Sequence, residues 1–254
     1  MADGRMLMAD GAAVTELSPT ARIVRWAYLG RVEYARAVRL QRALLDARAE
    51  GATDDALLLV EHPPVITLGR RGSRADVLVG PAELAARGIA VHDTNRGGLV
   101  TYHGPGQIVG YPIVGLRALT GGDVVRYVYG LEETVIGVLA DLGIAAGRDP
   151  QHHGVWVGPT GSSAARKIAA VGVAVSRGVT MHGFALNVQP ELAHFELIRP
   201  CGIADRGVTS VAALLGHRVD LTTIAAALAA SFGRAFAREL VAVPPAAFWR
   251  RAEI

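Results

Sequence analysis

Cysteine and lysine each occur once in this chain of 254 residues, as Cys201 and Lys167. A single cysteine cannot form an internal disulfide, and it cannot supply a cysteine-based zinc site. We therefore expect neither a disulfide framework nor a metal centre.

Long apolar runs are also missing. The longest stretch without a charged residue, 97–116, contains six glycines, two prolines, a histidine and a glutamine, which argues against a membrane-spanning helix. The N-terminus lacks a basic start followed by an apolar run and a cleavage site, so we expect no secretion signal. With 51% hydrophobic and 19% charged residues, the chain has enough apolar surface to fold. We expect a globular cytoplasmic protein without membrane contact.

The basic residues are 25 arginines and Lys167. Arginine keeps its proton under physiological conditions, whereas a lysine amine can release it. The one lysine therefore indicates a position that needs reversible protonation, with chance survival of a surface lysine as the alternative. The formal net charge is +3 and no basic run occurs, so we expect no nucleic-acid partner.

Hydrophobic periodicity predicts one mixed domain. Residues 1–20 show no periodicity and are predicted to be a flexible extension, and residues 21–254 are predicted to form a single domain. Mixed helices and strands without strict alternation favour an α+β fold, or an α/β fold with a mixed sheet. Helices are predicted at 31–50, 81–87 and 123–142, from Thr209 or Ser210 to Leu215, and from Asp220 to about Glu239. Strands are predicted at 23–29, 57–60, 65–68, 89–92, 99–102, 155–157, 168–175 and 179–188.

A glycine-rich segment, RGGLVTYHGPGQIVGY, runs from Arg96 to Tyr111. Paired glycines let the backbone approach a ligand, and Arg96 could bind an anion or a carbonyl. His103 could serve acid–base chemistry or donate a hydrogen bond. A pair of turns with a hydrogen-bonded structural histidine is the alternative.

Two further segments, RKIAAVGV (166–173) and MHGFALNV (181–188), place small residues among apolar ones. On paired strands, small residues open a space that suits a thin aliphatic chain. Ordinary close packing of a sheet against a helix is the alternative explanation.

Cys201 lies between Pro200 and Gly202. A turn exposes the sulfur and surrounds it with backbone N–H groups, which favours a reactive thiol over an inert buried one. Cys201 and Lys167 are therefore candidates for a nucleophile and its activating cation.

The segment at 96–111 resembles the signature of the lipoyl(octanoyl) transferases, which move octanoyl groups from acyl carrier protein to proteins. HGVWV (153–157), RKIAAVGV (166–173), HGFALNV (182–188) and PCGI (200–203) resemble the other blocks of that family, in the same order. The resemblance extends from about Trp26 to about Arg238. Met181 replaces a threonine common in the family, and residues 158–165 lengthen one loop.

This resemblance implies a mixed sheet flanked by helices, like the catalytic core of biotin and lipoate protein ligases. It also implies octanoyl transfer from octanoyl-acyl carrier protein to lipoyl domains of 2-oxoacid dehydrogenase complexes and to the glycine cleavage carrier protein. No cofactor is implied, and a monomer is expected. Cys201 corresponds to the acyl-thioester nucleophile and Lys167 to the lysine that lowers its pKa. The residues that correspond to the acyl pocket are Arg96, Gly97, Gly98, Leu99, Val100, Thr101, Tyr102, His103, Ala170, Val171, Gly172, Gly183, Phe184 and Ala185.

Three alternatives stay open from the sequence. An ATP-dependent lipoate or biotin ligase would need no cysteine and would release AMP. A cysteine hydrolase would use Cys201 with a histidine base and would hydrolyse acyl thioesters without a protein acceptor. A binding module for acidic carrier proteins is the third alternative, and the net positive charge is its only support.

Overall fold

The computed structural model describes residues 23–199 and 206–250. Within these ranges the chain forms eleven strands in two sheets. Cys201 and the predicted extension at 1–20 lie outside the described residues. The strands are β1 (Ile23–Arg31), β2 (Asp55–Glu61), β3 (Val65–Leu68), β4 (Ala90–Asp93), β5 (Val100–His103), β6 (Gln107–Ile113), β7 (Ala146–Arg148), β8 (Val155–Val157), β9 (Arg166–Ser176), β10 (Val179–Asn187) and β11 (Glu239–Ala242).

The described part of the chain also forms seven α-helices. Two of the three longest helices begin at a capping carboxylate: Asp123 accepts a hydrogen bond from the Arg126 amide at 3.0 Å, and Asp220 accepts one from the Thr223 amide at 2.8 Å. The helices are α1 (Tyr34–Ala49), α2 (Pro81–Ala86), α3 (Leu116–Thr120), α4 (Val124–Asp141), α5 (Val211–Leu215), α6 (Leu221–Phe236) and α7 (Ala246–Trp249). Among the described helices, none is both long enough and apolar enough to cross a membrane.

The larger sheet has the strand order β11-β1-β2-β6-β10-β9-β8-β7 over the described residues. β1 runs parallel to β2 and β11, and the remaining neighbours are antiparallel. Leu57 and Leu59 of β2 pack in the core with α4 and α6, whereas Leu58 and Val60 pack in the core with α1. Helices therefore cover both faces of a mixed sheet, as predicted.

The smaller sheet has the order β4-β3-β5, with its own apolar cluster that includes Ile66, Tyr102 and Phe195. Because β5 leads directly into β6 of the large sheet, the segment at 96–111 connects the two sheets.

Strand β6 was not predicted, because it contains Gly110 and Pro112, which usually interrupt central strands. It is nevertheless fully buried and pairs with β2 and β10. The final helix was predicted to reach about Glu239, and this was wrong. Ala237 adopts a left-handed conformation (φ 51°) that ends α6 at Phe236, and Glu239 begins β11.

Strand β9 begins at Arg166, two residues before the predicted start. The extension exists because Arg166 pairs with Val157 and Lys167 pairs with Trp156 of β8. The backbone of Lys167 also bonds to residues 207 and 209. The Lys167 amide donates to the Gly207 carbonyl at 3.1 Å, and the Thr209 amide donates to the Lys167 carbonyl at 3.0 Å. Lys167 is therefore fixed within a strand rather than placed on a loop.

Candidate active site

A cavity of about 210 Å³ lies between β9 and β10 of the large sheet and the segment that connects the two sheets. We call it the central cavity. Its volume is below the about 300–1,000 Å³ typical of pockets for drug-sized ligands, so it suits a thin ligand. The predicted site residues that line it are Arg96, Gly98, Leu99, Val100, Thr101, His103, Lys167, Ala170, Val171, Gly172, Gly183, Phe184 and Ala185.

The floor of the central cavity contains two cross-strand pairs of small residues. Gly172 lies opposite Gly183, and Ala170 lies opposite Ala185, in the antiparallel register of β9 and β10. Directly opposed residues point to the same face of a sheet, so these pairs leave a strip without bulky side chains. Such a strip suits an unbranched aliphatic chain.

Arg96 binds carbonyls of the protein itself. Its guanidinium donates to the Thr67 carbonyl at 2.6 Å and to the Gly97 carbonyl at 3.0 Å. The Gly97 amide in turn donates to the Val173 carbonyl at 2.9 Å, and a Cβ on Gly172 would lie 2.9 Å from the Gly97 oxygen. Arg96 and the glycines thus hold the loop directly over the sheet.

Gly97 and Tyr102 are the predicted pocket residues that the structure does not place on the central cavity. The Gly97 backbone is engaged with β9, as described above. The Tyr102 ring is buried in the cluster of the smaller sheet, and its hydroxyl lies 2.8 Å from His194 Nδ1.

His103 is held in a hydrogen-bonded network. Its Nδ1 lies 2.7 Å from Gln107 Oε1, while Gln107 Nε2 donates to Asn187 Oδ1 at 2.8 Å. Since the amide oxygen accepts, Nδ1 carries the proton and Nε2 is left as an acceptor. Burial lowers the pKa of His103 to about 3, with His62 and Arg96 adding to the decrease. His103 is therefore neutral near pH 7 and acts as a polar wall rather than as a cation.

Lys167 lies at the other end of the central cavity, against Trp156 of β8. Its Nζ is 4.7 Å from the centre of the indole ring, and the Arg206 guanidinium carbon is 5.5 Å from the same centre. Both distances are within the range of cation–π attraction. Two cations therefore pack against Trp156 at this end of the cavity.

A buried ion pair holds Arg206 in place. Its guanidinium donates to Asp149 Oδ2 at 2.6 Å. Burial raises the pKa of Asp149, but the hydrogen bonds from the Gln151 amide and Arg206 outweigh it and leave that pKa below its usual value. The described chain resumes at Arg206 after the gap at 200–205, and residues 206–208 all line the central cavity.

The end of the central cavity away from Lys167 is closed by aromatic rings. Tyr34 lies nearly parallel to His103 with ring centres 6.3 Å apart, and Tyr111 lies edge-on to His182 at 6.4 Å. Burial raises the pKa of Tyr34 to about 12. Burial, aided by Arg96 and Arg42, lowers the pKa of His182 to about 4. All four side chains are thus uncharged near pH 7.

Sequence reasoning missed several lining residues. Four of them belong to segments quoted in the sequence analysis, and this position could have marked them as lining residues: Gln107, Trp156, His182 and Asn187. Tyr34 and Arg206 belong to no motif and reach the cavity only through folding.

The segment at 158–165, which lengthens one loop relative to the family, connects β8 to β9. Its carbonyls accept hydrogen bonds from two arginines: Ser163 from Arg166 at 2.8 Å and Gly161 from Arg206 at 3.2 Å. Ala165 at its end is buried. The segment is therefore tied to the Lys167 end of the site.

Comparison with known proteins gives sequence relatives over most of the chain. Residues 33–233 match the family model of the lipoyl protein ligase A/B catalytic domain. An octanoyltransferase of Chloroflexus aurantiacus is 52% identical over 213 residues, covering 84% of this chain and 93% of that protein. An octanoyltransferase of Myxococcus xanthus is 50% identical over 217 residues, covering 85% of this chain and 60% of that protein.

Solved structures share the fold at low identity. The bipartite lipoate protein ligase of Thermoplasma acidophilum superposes with a TM-score of 0.64 at 17% identity, covering 91% of this chain and 90% of that one. A biotin protein ligase from Aquifex aeolicus, in complex with biotin and ATP, gives 0.51 at 13% identity, covering 84% and 70%. These likenesses confirm the predicted ligase-like core.

Proposed function

Because this chain belongs to the octanoyltransferases of the lipoyl protein ligase A/B catalytic domain family, we propose that octanoyl-acyl carrier protein is its donor. Octanoyl transfer in protein lipoylation is the activity that this family performs. The parts that we add are a thioester on Cys201, a role for Lys167 and a lysine of a lipoyl domain as the acceptor.

The first step moves the acyl group onto the protein. The Cys201 thiolate attacks the carbonyl carbon of the donor thioester, a new carbon–sulfur bond forms and the bond to the carrier sulfur breaks. The carrier sulfur leaves with the proton of the Lys167 ammonium, which makes Lys167 neutral for the second step. A nearby ammonium favours the thiolate over the thiol, and Lys167 is the cation that we assign to this task. Exchange of one thioester for another is nearly isoenergetic, so the step requires no ATP.

The second step moves the acyl group to the acceptor. The amine of the acceptor lysine attacks the Cys201 thioester, an amide bond forms and the Cys201 thiolate leaves. The amine must lose a proton, and Lys167 in its neutral form can accept it. An amide is more stable than a thioester, so this step is downhill.

The central cavity is the observation that carries the proposal. Lys167 lines this cavity together with a narrow strip floored by Gly172, Gly183, Ala170 and Ala185, which supports the proposal. An unbranched acyl chain along this strip would present its carbonyl to the cationic end, where Lys167 and Arg206 lie against Trp156.

Intact mass measurement after incubation with octanoyl-carrier protein tests the proposal. We expect the parent protein to gain one octanoyl group, to lose it when a lipoyl domain is added and to leave the lipoyl domain octanoylated. Cys201→Ala should gain nothing. Since Cys201 is the only cysteine, the acylated site is unambiguous, and hydroxylamine should release the group.

The same assay separates the alternatives. Transfer that requires ATP and releases AMP would contradict the proposal in favour of a ligase. Release of octanoate without an acceptor would identify a hydrolase. A complex with the carrier protein without any acyl gain would leave only a binding module.

A further inference from the structure

The acceptor lysine must lose two protons before its nitrogen becomes that of an amide. It arrives as an ammonium, because the ordinary pKa of a lysine amine is about 10.4, and the amide nitrogen keeps a single hydrogen. In the proposed function, Lys167 takes up the proton that the attacking amine loses. The earlier proton, which leaves when the ammonium becomes that amine, needs a second acceptor close to Lys167.

His153 lies beside Lys167 and lines the same cavity. The next residue, Gly154, is buried, and a Cβ on it would lie 3.4 Å from Lys167 Cε. Consecutive Cα atoms are about 3.8 Å apart, so the backbone of His153 is fixed close to the lysine side chain. The imidazole itself is 67% exposed, so the lysine of an incoming protein can reach it.

A buried carboxylate faces the His153 imidazole. Glu132 of α4 is 2% exposed, and its Oε1 lies 3.6 Å from His153 Nδ1. The same oxygen accepts a hydrogen bond from the Gly154 amide at 2.8 Å, and Oε2 accepts one from Arg148 Nε at 3.1 Å. Because these bonds hold the carboxylate in place, a proton taken up by the imidazole would create an ion pair with Glu132.

The remaining charges near His153 are mostly paired with one another. Arg148 pairs with Glu133 at 2.8 Å as well as with Glu132, and Arg206 pairs with Asp149 at 2.6 Å. Glu132 is thus the carboxylate that the structure places against the imidazole. The charged and titratable groups of the described elements around His153 are Glu132 and Glu133 of α4, Arg148 of β7, Asp149 and His152 of the turn before it, Lys167 of β9, and Arg206.

We propose that His153 accepts the proton that the acceptor lysine loses before it attacks the thioester. The inference rests on the proposed function, because it concerns the second acyl transfer. One N–H bond of the acceptor ammonium breaks, its electron pair stays on the nitrogen as the nucleophile, and the proton bonds to the unprotonated ring nitrogen of His153. Water then removes the proton from the exposed ring. Imidazole suits this task because it exchanges protons near neutral pH.

His153→Gln is the decisive variant, because glutamine keeps a polar side chain at this exposed position and has no basic nitrogen. The Cys201 thioester is formed first with octanoyl-carrier protein, and its transfer to a lipoyl domain is then followed by intact mass in a single turnover. We expect transfer at pH 7 to slow by about a hundredfold, the lower end of what a general base contributes. Thioester formation should keep the rate of the parent.

Two further readouts distinguish a lost proton acceptor from a distorted site. Free imidazole in the buffer should restore part of the transfer rate of His153→Gln and leave the parent unchanged. Raising the pH to about 9.5 should narrow the gap between the variant and the parent, because the acceptor ammonium, with a pKa of about 10.4, then loses its proton to hydroxide. His217→Gln is the matched control, since His217 is exposed and does not line the central cavity, and it should equal the parent at both pH values.

Transfer by His153→Gln at the parent rate would overturn the inference. An equal loss in thioester formation would also overturn it, as would a gap that neither imidazole nor the higher pH reduces, because either result indicates damage to the site. Absence of octanoyl transfer by the parent would instead reject the proposed function.

Discussion

At the scale of single residues, Lys167 is distinguished by its surroundings as well as by its rarity. Trp156 contacts its side chain by a cation–π interaction. The amide of Lys167 donates a hydrogen bond to residue 207, and its carbonyl accepts one from residue 209. An arginine could keep the charge and the stacking on indole, but it could not release and accept a proton near pH 7. The two tasks that we assign to Lys167 can therefore be separated by substitution.

Lys167→Arg is expected to acquire the octanoyl group slowly and then to stall as a thioester when a lipoyl domain is added. Lys167→Ala is expected to be deficient in both steps, with transfer to the acceptor reduced by about a hundredfold or more, the usual contribution of a general acid or base. Intact mass against time follows the thioester and the acylated lipoyl domain separately.

The pH dependence of Cys201 alkylation by iodoacetamide provides the companion measurement. Lys167→Ala should need a higher pH for the same rate, and Lys167→Arg should resemble the parent. Equal pH midpoints in all three proteins would show that the backbone around Cys201, and not Lys167, activates the thiol. Full turnover of acceptor by Lys167→Arg would show that the lysine acts only through its charge.

At the scale of elements, the pairing of β9 with β10 creates the narrow floor of the central cavity. The sequence shows small residues in both strands, but the strip exists only because the register places Ala170 opposite Ala185 and Gly172 opposite Gly183. A slip by one residue would turn these side chains to the other face. The register, rather than the composition alone, makes the space.

Ala170→Leu is expected to fill the strip and to lower kcat/KM for octanoyl-carrier protein by about tenfold or more. Transfer of a butyryl group, which ends before the obstruction, should be affected less. Val175→Leu provides a control on the same strand, because Val175 does not line the central cavity. Equal losses for butyryl and octanoyl donors in Ala170→Leu would show general damage rather than a blocked strip.

At the scale of the whole molecule, exposed arginines lie next to the openings of the site. Arg70 lies in a groove along α1, Arg71 lines the central cavity, and Arg74 forms an exposed ion pair with Asp93 at 3.1 Å. Acyl carrier proteins are acidic, so these arginines would attract the donor through long-range electrostatics.

Salt should therefore lower kcat/KM for the carrier-bound donor, and changing Arg70, Arg71 and Arg74 to Glu should lower it further and weaken the salt dependence. A triple variant at the exposed Arg117, Arg126 and Arg218, with the same change in charge, serves as the control. Indifference of the parent to ionic strength would contradict a steering role.

Stability should depend on pH through three buried histidines. Burial lowers the pKa of His62 and His182 to about 4 and that of His103 to about 3. Below about pH 6.5 these histidines take up protons in the unfolded chain but stay neutral in the folded state. The free energy of unfolding is therefore largest above this pH and falls as the pH decreases towards 4. The free energy of unfolding should decrease by up to about 1.4 kcal/mol per pH unit for each histidine that stays neutral.

Urea unfolding between pH 6.5 and 5 measures this loss. In His62→Gln the slope of the free energy of unfolding against pH should be smaller by about 1.4 kcal/mol per pH unit at most. A slope that matches the parent would show that folding does not lower the pKa of His62.

Most elements were predictable because their patterns are local. Pro81 and Asp123 mark the helix starts of α2 and α4, and β3 and β8 have the predicted bounds. Strand β6 was not predictable in this way. Its Gly110 is required because a Cβ there would collide with the Phe184 ring of β10, a contact that joins residues far apart in the chain.

The sequence by itself determined the family, through motifs long enough to be specific, and the segments from which most of the cavity lining comes. Only the tertiary structure decided which residues meet: Tyr34 and His182 at one end, and Trp156, Lys167 and Arg206 at the other. It also decided that Arg96 binds Thr67 and Gly97 within the protein. Motifs are properties of neighbouring residues, whereas these contacts depend on strand register and on packing between distant elements, which local sequence does not encode.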